Sequence, residues 1–305
     1  MRVLTFMAGP GPRLGVVVGE EAWDANMAVV AHRRAGGHPS PYAAAEALVP
    51  PSLRAFLDGG AAARSALEEA LAGLPRGERV RYPLNGLHFK APILDPPKII
   101  GVGLNYADHA KEGGSPIPET PRTFAKYPNA VLGHREPIVY PRSTQKLDYE
   151  VELAVVIGTG GRNIPRDRAL AHTFGYTVMN DVTARDLQKA HTQWFKGKSL
   201  DTFGPMGPAL VTADEVPDPQ RLRVTLRVNG QVRQSAGTDT MIFNVATCIA
   251  VLSEGLSLEP GDIIATGTPA GVGAATDGLL KVGDVVEAEV SGLGVLRNPV
   301  VADRG

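Results

Sequence analysis

The chain has 305 residues, 43% of them hydrophobic and 21% charged, with 31 Lys+Arg against 32 Asp+Glu and a formal net charge of -1. That length and apolar fraction support one large unit, or a large and a small one, around a buried core, and they exclude global disorder. The balanced charge offers no basic surface, so neither nucleic acid nor membrane is expected as a partner.

The start, MRVLTFMAGPGPRLG, lacks a long apolar run followed by a small-residue cleavage site, and no window reaches the ~18 apolar residues that span a bilayer, so a cytoplasmic location is expected. Residues 2–6 and 14–18 predict a strand pair around the turn Gly9-Pro10-Gly11-Pro12. From Tyr42 to Leu74 the chain is rich in Ala and Leu. Leu53, Phe56 and Leu57 form one helical face and Ala63, Leu67, Ala70 and Leu71 another, with Gly59-Gly60 between them and Gly73 plus Pro75 ending the second. Residues 1–90 read as a small N-terminal domain and 91–305 as the catalytic one, joined through Pro92, Pro96 and Pro97.

Beyond that connection the texture is β. Strands are predicted at 98–103, 149–158, 174–180, 209–212, 222–234, 262–266 and 284–290, the fifth folded back at the hairpin signal Asn229-Gly230. Short helices fit 166–173, 183–190 and 244–254. In the last of these Cys248, the single cysteine, reads as a core thiol beside Val245, Ala246, Ile249 and Ala250. Helices do not alternate regularly with strands, which argues against a doubly wound parallel sheet and for a mostly β, mixed or antiparallel α+β architecture.

The densest chemistry opens the segment DYEVELAVVIG (148–158). Residues two apart in a strand share a face, so Glu150 and Glu152 point one way, with Ala154 and Val156 after them, while Val151, Leu153, Val155 and Ile157 line the other. Two carboxylates side by side in an apolar strand repel each other and lose hydration unless a cation neutralises them. The competing reading is a solvated strand end paired with Lys or Arg. Asp181, just after GYTVMN, supplies a third acid. Its competing role is a helix cap, but Thr183 and Asp186 already form a capping-box pattern. Three carboxylates without His or Cys favour Mg²⁺ or Mn²⁺ over Zn²⁺, one divalent cation per chain.

Other segments carry candidate groups. His109 and Glu112, three apart, share one side of a short helix before Gly113-Gly114, as on a closing lid; an exposed helical turn is the alternative. Lys198, in WFKGKSLD, suits an oxyanion if it lies near a metal, and a surface lysine otherwise. The loop TGTPAGVG (266–273) offers backbone N–H groups to an anion. Gly101-Val102-Gly103 lacks the third glycine of a dinucleotide fingerprint.

With these pieces placed, the chain resembles the fumarylacetoacetate hydrolase family. The resemblance rests on GVGLNYADHAKE (101–112), LDYEVELAVVIG (147–158), GYTVMNDVTARDLQ (175–188), KGKSLDTFGP (196–205), VNGQVRQ (228–234), PGDIIATGTPAGVG (260–273) and GDVVEAEVSGLGVLRN (283–298). It implies a mixed β-sandwich roll with a small N-terminal α+β domain, and a usually dimeric metal enzyme acting on small 2-oxo or 2-hydroxydienoic acids. Expected reactions are C–C hydrolysis of acylpyruvates or isomerisation of 2-hydroxydienoates, with oxaloacetate-type decarboxylation as the alternative. A catalytically silent metal and 2-oxo acid binding protein is the rival of another class. Carried over by position, Glu150, Glu152 and Asp181 match the metal carboxylates. Lys198 matches the oxyanion-binding lysine, His109 and Glu112 the acid/base pair of the lid, and Arg185, Gln188 and Thr268 substrate-facing side chains. Asp108 matches an aspartate that some members use as another metal ligand or partner. Leu104 stands where several oxaloacetate- and acylpyruvate-acting members carry arginine, which leaves isomerase or dienoate activity more open.

Overall fold

Alternation along Val151–Ile157 sets the layering. Val151, Leu153, Val155 and Ile157 pack into one core, with Val224, Leu226, Val286, Ala288 and Leu296 of a second sheet. Ala154 and Val156 pack into another, with Phe56, Leu57, Ala63 and Leu67 from the alanine-rich helices. The strand therefore lies between a helical layer and a sheet layer and is buried along its whole length. The structure, a computed structural model, describes residues 1–74 and 78–305. Pro75, expected to help end the second alanine-rich helix, lies outside the described residues.

Val151–Ile157 is central to a 12-stranded sheet. It pairs antiparallel with Thr173–Asn180 on one side and with Ile263–Ala265 on the other. Beyond Ile263–Ala265 come the parallel strand Ile99–Gly103 and the edge strand Arg122–Lys126. Beyond Thr173–Asn180 comes Gly204–Thr212, and there the N-terminal strand Arg2–Ala8 joins in antiparallel register, Arg2 opposite Val211. The predicted hairpin Arg2–Ala8 and Gly11–Val18 thus extends the same sheet. The second sheet runs Gln231–Gly237, Arg223–Val228, Val285–Val290, Gly294–Ala302 and Ile138–Tyr140. Asn229 and Gly230 turn its hairpin with φ of 52° and 78°, as a type I′ turn requires. The chain is mostly β with short helices, in the expected mixed sandwich arrangement.

Two local expectations change. The helix expected over 183–190 begins later, at Arg185–Ala190, because Thr183–Ala184 pairs as a short strand with Leu147–Asp148. The capping box does not form. The Thr183 hydroxyl donates to the Asp181 carbonyl, and the Asp186 carboxylate accepts from the Thr144 hydroxyl and the amides of Gln145 and Leu187. The sequence reading also passed over the helix Ala25–Ala35, whose N-cap Asp24 accepts from the Met27 amide at 3.0 Å.

Candidate active site

Strand register brings the three acids together. In the antiparallel pair Val151 faces Asn180, so Glu150 and Asp181, each one residue beyond, meet at the same sheet end; the Asp181 amide donates to the Glu150 carbonyl at 2.8 Å. On the other flank Ala154 faces Ala265, which puts the loop after that strand beside Glu152, and the Gly267 amide donates to Glu152 Oε2 at 2.8 Å. One carboxylate oxygen from each of Glu150, Glu152 and Asp181 lies within 4.8 Å of the others, and all three residues are buried.

Two buried lysines and an arginine surround the acids. Lys198 Nζ donates to Glu150 Oε2 at 2.7 Å and to Asp181 Oδ2 at 2.5 Å, with 4.8 Å to the Phe124 ring centroid. Lys126 Nζ donates to Asp181 Oδ1 at 2.5 Å and also to the carbonyl of Lys198. Arg185 Nη2 lies 2.6 Å from Glu150 Oε1, its Nε donates to Asp148 Oδ2 at 2.7 Å and its Nη1 to Gln188 Oε1 at 3.1 Å. Burial alone would raise the Glu150 carboxyl, yet Lys198, Arg185 and His109 hold it below the usual carboxylate range. The Glu152 carboxyl goes the other way. Burial pushes it up, the charges of Asp181 and Glu150 add to that, and Lys198 and the Gly267 amide only partly oppose them. Burial would lower the Lys198 ammonium, but Asp181 and Glu150 outweigh it; in Lys126 burial wins and the ammonium falls below its usual value.

This arrangement fits a divalent cation. Counted formally, four buried acids (Asp148, Glu150, Glu152 and Asp181) meet three cations (Lys126, Arg185 and Lys198), and Glu152, whose carboxyl burial pushes up, is the acid without an ion-pair partner among the described residues; a cation beside it would favour its charged form. An all-oxygen donor set of this kind suits a hard cation. Asp181 does not cap the helix that follows; Thr183 next to it pairs as a strand, and no capping box forms.

Two acids of the triad, Glu150 and Glu152, line a cavity of about 480 Å³, within the range of small-molecule sites. His109, Glu112, Arg185, Gln188, Lys198 and Thr268 line it with Glu150 and Glu152, so every expected site residue but the deeper Asp181 reaches the wall. His109 and Glu112 lie on the helix Ala107–Glu112, with His109 Nδ1 3.4 Å from Glu112 Oε2. Gly114 at φ +65° turns the chain directly after this helix. Thr268 spends its hydroxyl on the Val151 carbonyl (2.9 Å) while accepting from Gln234 Nε2 (2.8 Å). The amides of 266–274 do face anions, but these are the chain's own: Gly267 serves Glu152, Gly271 serves Glu112 at 2.9 Å, and Gly273 and Ala274 serve Asp148. Leu104 lines the cavity from a left-handed backbone position, φ 55°. Asp108 is exposed, beside Lys111 at 3.6 Å.

Sequence reasoning missed Lys126, Asp148 and Gln234. Asp148 was within reach as a third acid beside Glu150, but Lys126 carries no signal: it is one lysine in FAKYPN, 55 residues from its partner Asp181. Cys248 is fully buried, as expected of a core thiol. No described helix is long and apolar enough to cross a membrane.

Comparison with known proteins places the whole chain among relatives of one family. The family model described as fumarylacetoacetate (FAA) hydrolase C-terminal matches residues 98–301. The chain is 42% identical over 311 aligned residues to oxaloacetate tautomerase FAHD2A, mitochondrial, of Bos taurus, with 99% of this chain and 92% of that protein covered. It is similar to the solved fumarylacetoacetate hydrolase of psychrophilic Exiguobacterium antarcticum (TM-score 0.81, 38% identity, 99% and 100% of the two chains). It is also similar to maleylpyruvate hydrolase of Sphingobium sp. SYK-6 in complex with manganese(II) and pyruvate (TM-score 0.76, 32% identity, both chains fully covered).

Proposed function

The chain belongs to the fumarylacetoacetate hydrolase family, and from that premise we propose that it is a divalent-metal-dependent isomerase of a small 2-oxo acid, moving a proton between carbon and oxygen. The observation that carries this reading is the buried carboxylate triad, two of whose members, Glu150 and Glu152, line the same cavity as the His109–Glu112 pair. A Mg²⁺ or Mn²⁺ ion held by Glu150, Glu152 and Asp181, one per chain, would supply Lewis acidity to the carboxylate and keto oxygens of the substrate.

The residues of the chain do the rest. Glu112 takes the proton from the carbon beside the keto group, and His109, 3.4 Å away on the same cavity wall, holds its orientation and returns a proton to the keto oxygen, so that carbon loses one proton and oxygen gains one. The Lys198 ammonium faces the oxygen on which negative charge develops, and its burial makes such a charge act more strongly than in water. Arg185 and Gln188 orient the substrate from the cavity wall, and Thr268 shapes the floor. The reading is supported by the tautomerase named among the relatives. In the test, a panel of 2-oxo acids, oxaloacetate included, is supplied with Mg²⁺ or Mn²⁺ and the enol absorbance is followed. Binding without turnover of any member would replace the isomerase with a silent binding protein.

A second reading, C–C hydrolysis of an acylpyruvate, is favoured by the likeness to a maleylpyruvate hydrolase over the whole chain. There Glu112 would activate water. Release of pyruvate from an acylpyruvate separates the two, and loss of carbon dioxide from oxaloacetate would reveal decarboxylation. We further propose a homodimer, checked by light scattering against the 32.2 kDa monomer. Residues 1–90 and 91–305 are proposed as the two domains, the family match starting at 98. A cytoplasmic home is also proposed; the bovine relative's name says mitochondrial, and cell fractionation distinguishes the two.

A further inference from the structure

Asp148 is fully buried, and no step described above uses its carboxylate. Four donors converge on it. Oδ1 accepts from the amides of Tyr149 (2.8 Å) and Gly273 (2.7 Å), and Oδ2 accepts from Ala274 N–H (3.0 Å) and Arg185 Nε (2.7 Å). It thus ties together two parts of the cavity that are far apart in sequence. One is the Arg185 guanidinium, whose other nitrogens reach Glu150 and Gln188. The other is the loop whose Gly271 amide holds Glu112 of the lid helix at 2.9 and 3.2 Å. The fit on the loop side is close: a Cβ at Gly273 would lie 2.6 Å from Asp148 Oδ1.

We propose that Asp148 is a positioning residue, a buried carboxylate that fixes Arg185 and the lid-latching segment 271–274 as one unit. A charged acceptor with four lone-pair sites can serve three amides and a guanidinium at once. An asparagine cannot. Its single oxygen leaves at least one of these donors without an acceptor, and its NH₂ turns toward another. Arg185 then loses the partner on its Nε while Glu150 pulls on its Nη2, and the loop end slackens beneath Gly271. Substrate orientation and lid closure are therefore coupled through one side chain that touches neither substrate nor lid. The inference rests on reading the cavity as the substrate site, but its first test needs no substrate.

The test is Asp148→Asn, followed by amide hydrogen exchange in the substrate-free protein. Exchange should quicken in 107–115 and 271–276 and stay unchanged in Val151–Ile157 and Thr173–Asn180. Exchange at the wild-type rate in the lid overturns the proposal, and so does quickening throughout the sheet, which marks a merely structural residue. With a turned-over 2-oxo acid, kcat/KM should fall on the order of 10–100-fold, mainly through KM. In Arg185→Met the same Asp148→Asn change should cost less than it does in wild type, since the path through the guanidinium is already gone and only the hold on the loop is left to lose. Costs that multiply overturn the coupling. If no 2-oxo acid is turned over, the proposed reaction fails while the exchange result still decides the role of Asp148. Should Asp148→Asn not fold, Gly273→Ala keeps the charge and forces the loop off it. It should loosen the lid in the same way, and unaltered lid exchange in that variant overturns the proposal.

Discussion

Replacing Lys198 by methionine keeps a long flexible stem and removes the ammonium from between Glu150 and Asp181, 2.7 and 2.5 Å away in a side chain only 2% exposed. Taking one partner from a buried ion pair costs about 3–5 kcal/mol, because the charge left behind is neither hydrated nor paired. Unfolding entropy of ~2.1 cal/mol/K per residue over 305 residues converts that cost into a Tm about 5–8 °C lower. A divalent cation changes the comparison. At ~100 times its Kd it contributes about 2.7 kcal/mol to whichever protein binds it, and more to the variant, whose carboxylates no longer share an internal ammonium. Scanning calorimetry should therefore show the full gap in EDTA and less than half of it in saturating Mn²⁺. A gap that is the same in both buffers would refute the idea that lysine and cation share these carboxylates. No gap in EDTA would refute the ion pair's contribution to stability.

Glu150→Gln combined with Glu152→Gln should abolish Mg²⁺ and Mn²⁺ binding and activity together, and unchanged binding in calorimetry would disprove the site. Glu112→Ala should keep the cation and lose about 10²–10⁴-fold in proton transfer or hydrolysis, but less in any decarboxylation, which needs no base; equal losses in all three would remove Glu112 as the base. Oxalate, a mimic of a chelating enolate, should slow amide exchange across 105–120 if this segment closes over the ligand, and equal exchange with and without it would count against a lid. Burial pushes the Cys248 thiol up to about 12. The unfolded chain then ionises first, so the stabilising effect of the neutral thiol is complete below about pH 8.5 and fades by about 1.4 kcal/mol per pH unit above that. Denaturant midpoints of wild type should fall more steeply than those of Cys248→Ala between pH 9 and about pH 11, and parallel curves would contradict this.

The parts of the site that follow from local periodicity were legible. The two-residue repeat at 150 and 152 gave the shared face, and the three-residue spacing of His109 and Glu112 gave their contact. The parts that depend on which strands lie side by side were not. Lys126 reaches Asp181 only because the edge strand Arg122–Lys126 and the helix Phe195–Lys198 close over the same sheet end, and nothing in FAKYPN announces it. The capping-box reading failed for the same reason: Thr183 found a strand partner in Asp148, and a ladder pairing from outside the segment outweighed a local motif. In the fold, strands with strong alternation were placed within a residue or two. The helix Ala25–Ala35 carried its start and stop signals, Asp24 and Gly36-Gly37, and was passed over although Ala25, Ala28 and Val29 form a buried face at helical spacing.

The pairing of Arg2 with Val211 across the central sheet bears on how the chain is made. The N-terminal hairpin leaves the ribosome early, yet its sheet neighbour is more than 200 residues downstream. At ~5–20 residues per second the wait is roughly 10–40 s. Through that interval the strand Arg2–Ala8 has one edge covered by Gly11–Val18, and on the other Phe89–Lys90 can pair with Thr5 and Phe6 once it emerges, but Arg2 and Val3 stay open to any strand that passes, whether of its own chain or of another being synthesised nearby. Nascent chains are thus most exposed to mispairing before Gly204–Thr212 emerges, and holding factors that bind extended apolar segments would act in that window.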